Sequence, residues 1–218
     1  VNYILTIDTS FSQSCLALFK NKEMLEEVFL SGSPRDNDSL LFRLEDLLTR
    51  HQLTLKDIEG IAIAIGPGSY TGLRLSIAAV KGIALVTKCT IKALSVFDIF
   101  IQQYKSENPV AKGELLSVID TSKGDFYCQR YSQNFTAKGE PFFAKLDQLQ
   151  DLLKNEPALA FVGQIQPLGT SGLLINFPSA RSMVELYFDP NCQNTSTTTL
   201  EPLYMRQTGF VKLKENPE

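Results

Sequence analysis

A chain of 218 residues, 44% apolar and 21% charged, holds enough material for one large soluble domain or two small lobes. With 21 Lys+Arg against 24 Asp+Glu, its net charge of -3 argues against a protein that grips nucleic acid unaided, which needs a concentrated basic patch. The longest strongly apolar stretch, Leu73 to Thr87, is interrupted by Arg74, Ser76 and Lys81 and falls short of the roughly 20 apolar residues a bilayer requires. No basic segment precedes an apolar run at Val1-Asn2-Tyr3, so no signal peptide and no membrane partner are expected, and a cytoplasmic location is.

In chain order, the apolar run Tyr3-Ile4-Leu5-Thr6-Ile7 reads as a strand ending in the turn Asp8-Thr9-Ser10, whose short polar side chains bond nearby backbone. Cys15 to Lys20 reads as a strand returning antiparallel. A helix is expected from Asp38, a reasonable N-cap, to Arg50. Its leucines, Leu40, Leu41, Leu44, Leu47 and Leu48, share one face, and Arg43, Glu45, Asp46 and Arg50 stay wet. His51, at the polar end of that helix, is the only histidine, which excludes a two-histidine metal site and the H-E-x-x-H motif. No metal site is assigned.

The strand Gly60 to Ile65 leads into Gly66-Pro67-Gly68-Ser69-Tyr70-Thr71-Gly72-Leu73-Arg74, placed like a phosphate-cradling loop at a helix N-terminus. The spacing fits neither the Walker A motif, which needs a lysine here, nor the dinucleotide G-x-G-x-x-G. Two readings stay open. Either the backbone of Gly68, Ser69 and Thr71, with Arg74 and Asp8, contacts a nucleotide or phosphate, or the glycines permit a tight turn and the hydroxyls cap the helix. The helix itself, Ser69 to Lys88, is apolar over most of its circumference, with Leu73, Ile77, Val80 and Ala84 on one flank and Leu75, Ala79, Gly82, Ile83 and Val86 on another. Arg74, Lys81 and Lys88 form one narrow stripe. Such a helix is either buried within its lobe or shared with another chain.

Ile119-Asp120-Thr121-Ser122 repeats Ile7-Asp8-Thr9-Ser10 at an offset of 112. It too ends an apolar run, Leu115 to Ile119, and is followed by a β-like run, Phe126 to Tyr131, and a short strand, Leu159 to Val162. The order of elements implies a duplicated α/β fold, two lobes of mixed sheet flanked by helices, over residues 1–105 and 106–218. That describes the actin-like, or ASKHA, architecture. The cysteines, Cys15, Cys89, Cys128 and Cys192, form no C-x-x-C pair and read as reduced thiols. A sugar-kinase-type phosphotransferase using Asp8 and Asp120 with magnesium-ATP is the alternative function, weakened by the small second half. A peptidase finds no support in the residues present.

Three segments, Ile7-Asp8-Thr9-Ser10, Gly66 to Arg74, and Glu201-Pro202-Leu203-Tyr204-Met205-Arg206, resemble the signatures of the TsaB (YeaZ) family. The resemblance implies an actin-like fold with a degenerate active site and no catalytic residue. It also implies a non-catalytic scaffold for a TsaD-like subunit, which transfers a threonylcarbamoyl group to the adenine 3′ of the tRNA anticodon, with a TsaE-like ATPase as a further partner. tRNA is met only through the complex. No cofactor is bound tightly, although ATP or ADP at a partner boundary is compatible. Docking is expected through helices of the first lobe, using Leu41, Leu44, Leu48, Leu73, Ile77 and Val80, and the same helices pair in a homodimer when the partner is absent. On that expectation Ile77→Asp abolishes the complex and leaves the lobe folded. Asp38-Ser39 and Asp120-Thr121-Ser122 depart from the His-Ser and Asp-Ala-Arg common in the family.

Overall fold

The computed structural model describes residues 2–30, 40–108, 113–164 and 172–205. It contains two five-stranded mixed sheets of identical topology. In the first, β1 (Tyr3–Asp8), β2 (Ser14–Lys20) and β3 (Glu23–Leu30) form an antiparallel meander, and β4 (Ile58–Ala64) and β5 (Thr90–Leu94) extend it in parallel, in the order β3-β2-β1-β4-β5. In the second, β6 (Leu115–Asp120), β7 (Asp125–Tyr131), β8 (Ala137–Lys145), β9 (Ala160–Gly163) and β10 (Gly172–Leu174) repeat it as β8-β7-β6-β9-β10. The fold is the actin-like duplicated α/β architecture. Sequence pattern revealed neither the third strand of each meander nor the outer parallel strands β5 and β10; Glu23–Leu30 mixes three glutamates with its apolar residues and is nowhere fully buried.

Among the described residues five α-helices cover the sheets: α1 (Leu40–Arg50), α2 (Tyr70–Thr87), α3 (Val96–Glu107), α4 (Leu146–Asn155) and α5 (Ala180–Tyr187). Leu40, Leu44, Leu47 and Leu48 of α1 and Ile77, Val80, Ile83 and Ala84 of α2 pack on Leu5, Ile7, Ile61 and Ile63 of the first sheet. On its other face lies α5, from the second half of the chain, through Ala180 and Val184 against Ile4, Ala17 and Phe19. Reciprocally α3, from the first half, packs on β6 and β9 and against α5. Position 105/106 therefore falls inside α3, a helix that lies on the second sheet.

This exchange shows which positions of the two halves correspond. Leu5 and Ile7 face the outer helices α1 and α2, and in β6 it is Leu116 and Val118 that face the outer helix α4. Leu115 and Ile119 face α3 instead. The Asp-Thr-Ser repeat is thus one residue out of step with the repeat of the fold. Asp8 is turned inward and is 1% exposed, whereas Asp120 lies on the exposed side. Between β9 and β10 the chain has only residues 164–171, too few for a counterpart of the 18-residue α2.

The C-terminal segment returns to the first lobe. Thr195 N donates to Ile91 O (2.8 Å), Ala93 N donates to Thr195 Oγ1 (3.2 Å), and Leu203 N donates to Ile65 O (2.8 Å). Leu200 is fully buried among the leucines and isoleucines under α1 and α2. The polar run Thr195 to Thr199, which reads from sequence as an exposed loop, is the start of this strap, and Ser196 supplies its turn by accepting from the Thr199 and Leu200 amides. Asp38, Ser39 and Arg206 lie outside the described residues. Among the described residues, no helix is long and apolar enough to cross a membrane.

Candidate docking surface and interlobe cleft

A cleft of about 830 Å³ lies between the lobes. Ser10, Phe11, Gly68, Ser69 and Tyr70 line it from one side, and Asp120, Ser122, Lys123, Tyr127, Gln164 and Phe177 from the other, with Leu203 to Met205 of the strap at its rim. Of the five candidate phosphate contacts, Gly68 and Ser69 line this space; Thr71 and Arg74 do not, and Asp8 is buried beneath it. The two carboxylates of the phosphotransferase reading are likewise separated in environment, Asp120 lining the cleft and Asp8 enclosed.

Local bonding accounts for the glycine-rich motif without a ligand. Ser69 N donates to Ser10 O (2.6 Å), Gly72 N donates to Ser69 Oγ (3.2 Å) as a helix cap, and Leu73 N donates to Ser69 O (2.9 Å). Thr9 Oγ1 donates to Gly72 O at 2.8 Å and lies 2.8 Å from Ser76 Oγ, with which it shares a hydroxyl–hydroxyl hydrogen bond. A Cβ on Gly68 would stand 2.4 Å from Ser10 O, and one on Gly72 would stand 2.1 Å from Thr9 O. These glycines let the first turn of α2 lie directly on the β1–β2 turn.

Asp8 accepts from the Ser10 amide at 2.9 Å through Oδ1, while its Oδ2 and the Ser10 hydroxyl have no partner among the described residues. Burial pushes its pKa up to about 6, partly offset by the neighbouring Ser10 hydroxyl and amide dipoles. Asp120 makes the same local bond, accepting from the Ser122 amide at 2.7 Å, but stands in solvent. Burial raises the pKa of the Cys15 thiol, with the Asp8 charge adding to it, and pushes Cys128 up to about 12; both are poor nucleophiles in consequence. His51, just beyond α1, has its Nε2 2.9 Å from Glu26 Oε2 of β3. Among the described residues, no group of three or more His, Cys, Asp or Glu is placed to hold a metal ion.

The outer surface of α1 and α2 is the other distinctive region. Of the six expected docking residues only Leu41 is exposed, at 54%. Leu44, Leu48, Leu73, Ile77 and Val80 are at most 6% exposed and belong to the lobe's own core, so they hold the helices on the sheet and do not face a partner. The expectation that Ile77→Asp spares the fold is corrected accordingly, since it would bury a charge against β-strands. The apolar side chains left outside are Leu41 and Phe42 on α1, and Leu75, Leu85 and Val86 on α2. Ala78 and Gly82 lie between them on the same open face, and a Cβ on Gly82 would have no neighbour within 4 Å among the described residues. Of the second apolar flank of α2 read from the sequence, Leu75 and Val86 are exposed, whereas Ile83 is buried with the sheet.

At the α2 N-terminus, Arg74 is held by aromatics. Its guanidinium carbon lies 3.9 Å from the Tyr70 ring centre, its Nε donates to Tyr204 Oη at 2.7 Å, and the two rings stack 5.3 Å apart. Tyr204 belongs to the C-terminal hexapeptide, and through it and Leu203 the described part of that segment contacts the first lobe.

The fold and topology define a duplicated actin-like chain. The family model for TsaD, tRNA N6-adenosine threonylcarbamoyltransferase, matches residues 36–196. Among curated proteins, two Buchnera aphidicola proteins named tRNA threonylcarbamoyladenosine biosynthesis protein TsaB are each 26% identical. One, from the subspecies Schizaphis graminum, covers 69% of this chain and 72% of its own; the other, from Baizongia pistaciae, covers 84% and 87%. The Escherichia coli TsaB is 29% identical over 60% of this chain and 55% of its own. Two solved structures from Pseudomonas aeruginosa, YeaZ and an uncharacterized protein described as similar to the peptidase YeaZ, superpose with TM-scores of 0.71 and 0.74. Both are 20% identical and cover 94% of this chain and 100% of their own. The chain belongs to the TsaB/YeaZ family within the TsaD family.

Proposed function

We propose that this chain serves tRNA threonylcarbamoyladenosine biosynthesis as a docking subunit that does no chemistry of its own. It binds a TsaD-type subunit through the outer face of α1 and α2, with a TsaE-type ATPase as a further member of the assembly and tRNA met only through the complex. Any ATP or ADP is held at the partner boundary. A second copy covers the same face when the partner is absent.

The observation that carries this reading is the run of exposed apolar side chains, Leu41, Phe42, Leu75, Leu85 and Val86, on two helices whose inner faces are already packed. Water contact at so many large apolar groups is unfavourable, and exposed apolar groups on two helices in contact are what a protein interface would cover. Gly82 supports it. A glycine in a helix interior costs about 1 kcal/mol relative to alanine, and nothing described within the chain requires one here. Close approach of a second helix does.

Gly82→Leu is the test. In the free chain the new side chain enters open space and removes a helix-breaking residue, so the melting temperature is expected to hold or rise. Affinity for the TsaD-type subunit, measured by titration calorimetry, is expected to fall at least about tenfold, or about 1.4 kcal/mol. Undiminished affinity with an intact fold contradicts the reading.

A further inference from the structure

The exposed face of α2 is basic as well as apolar. Residues 70–87 contain no Asp or Glu, and Arg74, Lys81 and the helix-capping Lys88 recur every seven residues, on one edge of the open face beside Ala78, Gly82 and Leu85. None of the three makes an ion pair among the described residues. Arg74 is held by Tyr70 and Tyr204 and by no carboxylate. The 3-10 turn that packs beside α2 adds Lys56, and its acid, Asp57, is engaged by the amide and hydroxyl of Thr54. A protein of net charge -3 therefore concentrates unpaired cations along the edge of its apolar helix face.

We infer that the partner presents a matching acidic helix edge, with carboxylates about one heptad apart, or roughly 10 Å at 1.5 Å per residue, to meet Arg74, Lys81 and Lys88. This deepens the docking proposal and rests on it. The aromatic clamp on Arg74 fixes a planar, permanently charged donor before contact, which lowers the ordering cost of pairing with a carboxylate. The same stripe discriminates against the wrong occupant. In an antiparallel pairing of α2 with the α2 of a second copy, the two-fold axis brings both basic edges to the same side, where like charges repel. Apolar area favours either occupant, and charge selects the acidic one.

Opposite salt dependences follow. From about 0.01 M to about 1 M salt the screening length shrinks from about 30 Å to about 3 Å, so screening weakens the complex with the TsaD-type subunit and strengthens self-association. Titration of the purified subunit with the intact chain, beside sedimentation of the chain alone, reads both. Lys81→Glu is expected to weaken the complex at least tenfold at low salt and much less at high salt, with the melting temperature little changed because the side chain is partly exposed. Adding Lys88→Asn, a residue that tolerates the left-handed cap, is expected to deepen the loss. If Gly82→Leu blocks the complex while Lys81→Glu binds as wild type at every salt concentration, the docking face stands and the acidic-edge proposal is overturned. If Gly82→Leu binds normally, the docking reading fails and this inference fails with it.

Discussion

Asp8 is a carboxylate with one oxygen satisfied and the other enclosed without a partner among the described residues. Its native pKa of about 6 lies above the ordinary 3.8, because burial penalises the charged form. Below 3.8 both folded and unfolded chains carry the proton and nothing is lost. As pH rises through about 6 the folded chain must ionise a group it disfavours, and by neutral pH the loss is about 3 kcal/mol. Asp8→Asn keeps an acceptor for the Ser10 amide and removes the charge. Its stability advantage over wild type, measured by urea unfolding, should be near zero at pH 3.5 and grow to about 3 kcal/mol by pH 7. A pH-independent difference contradicts the assignment. Comparing variants is necessary because other carboxylates act in the opposite sense; the Arg130 guanidinium, bonded to both oxygens of Glu156, holds that acid below its usual range. Sequence marked Asp8 and Asp120 as equals. Burial distinguishes them, and burial depends on which face of the strand each residue joins, a register that a four-letter repeat does not carry.

At the level of elements, α2 divides its apolar residues between two tasks. Ile77 and Val80 face the sheet, and Leu75, Leu85 and Val86 face outward. Ile77→Asp is therefore expected to destabilise the lobe by about 4 kcal/mol or more, since it empties a packed site and buries a charge. Thermal unfolding checks this, and a variant that melts like wild type would show that the inner face has been misassigned. Part of the fold was legible in the sequence: β1, β2, β4, β6, β7, β9 and the helices α1 and α2 follow from apolar pattern, turn chemistry and caps, whereas β3, β5, β8, β10 and the helices α3, α4 and α5 were not placed. What periodicity left undecided was the orientation of α2. A helix apolar nearly all round has no polar face to betray its wet side, so only the position of the sheet fixes it. The stretch from Gly66 to Arg74 was legible as a strand-to-helix turn, but its hydrogen bonds to Thr9 and Ser10 join segments about sixty residues apart and needed the fold to be seen.

Across the whole molecule, the two halves are bound by exchange. α3 lies on the second sheet, α5 lies on the first, and the strap from Thr195 to Met205 crosses back to seal the first lobe. Leu200 is the strap's anchor, fully buried beneath α1 and α2, so Leu200→Ala is expected to cost about 2–5 kcal/mol. A two-state unfolding transition shifted as a whole is the expected result, because the lobes share helices; separate melting of one lobe would contradict that coupling. The strap also places Tyr204 on Arg74, tying the C-terminal segment to the edge of the exposed α2 face.

Hydroxyl-radical footprinting of the chain, free and bound to the TsaD-type subunit, examines that face most directly. Leu41, Phe42, Leu75, Leu85 and Val86 should be labelled in the free chain and protected in the complex, while Leu44, Ile77 and Val80 stay unlabelled in both. Unchanged labelling of the first five in a fully formed complex would place the partner elsewhere and contradict the docking role of α1 and α2.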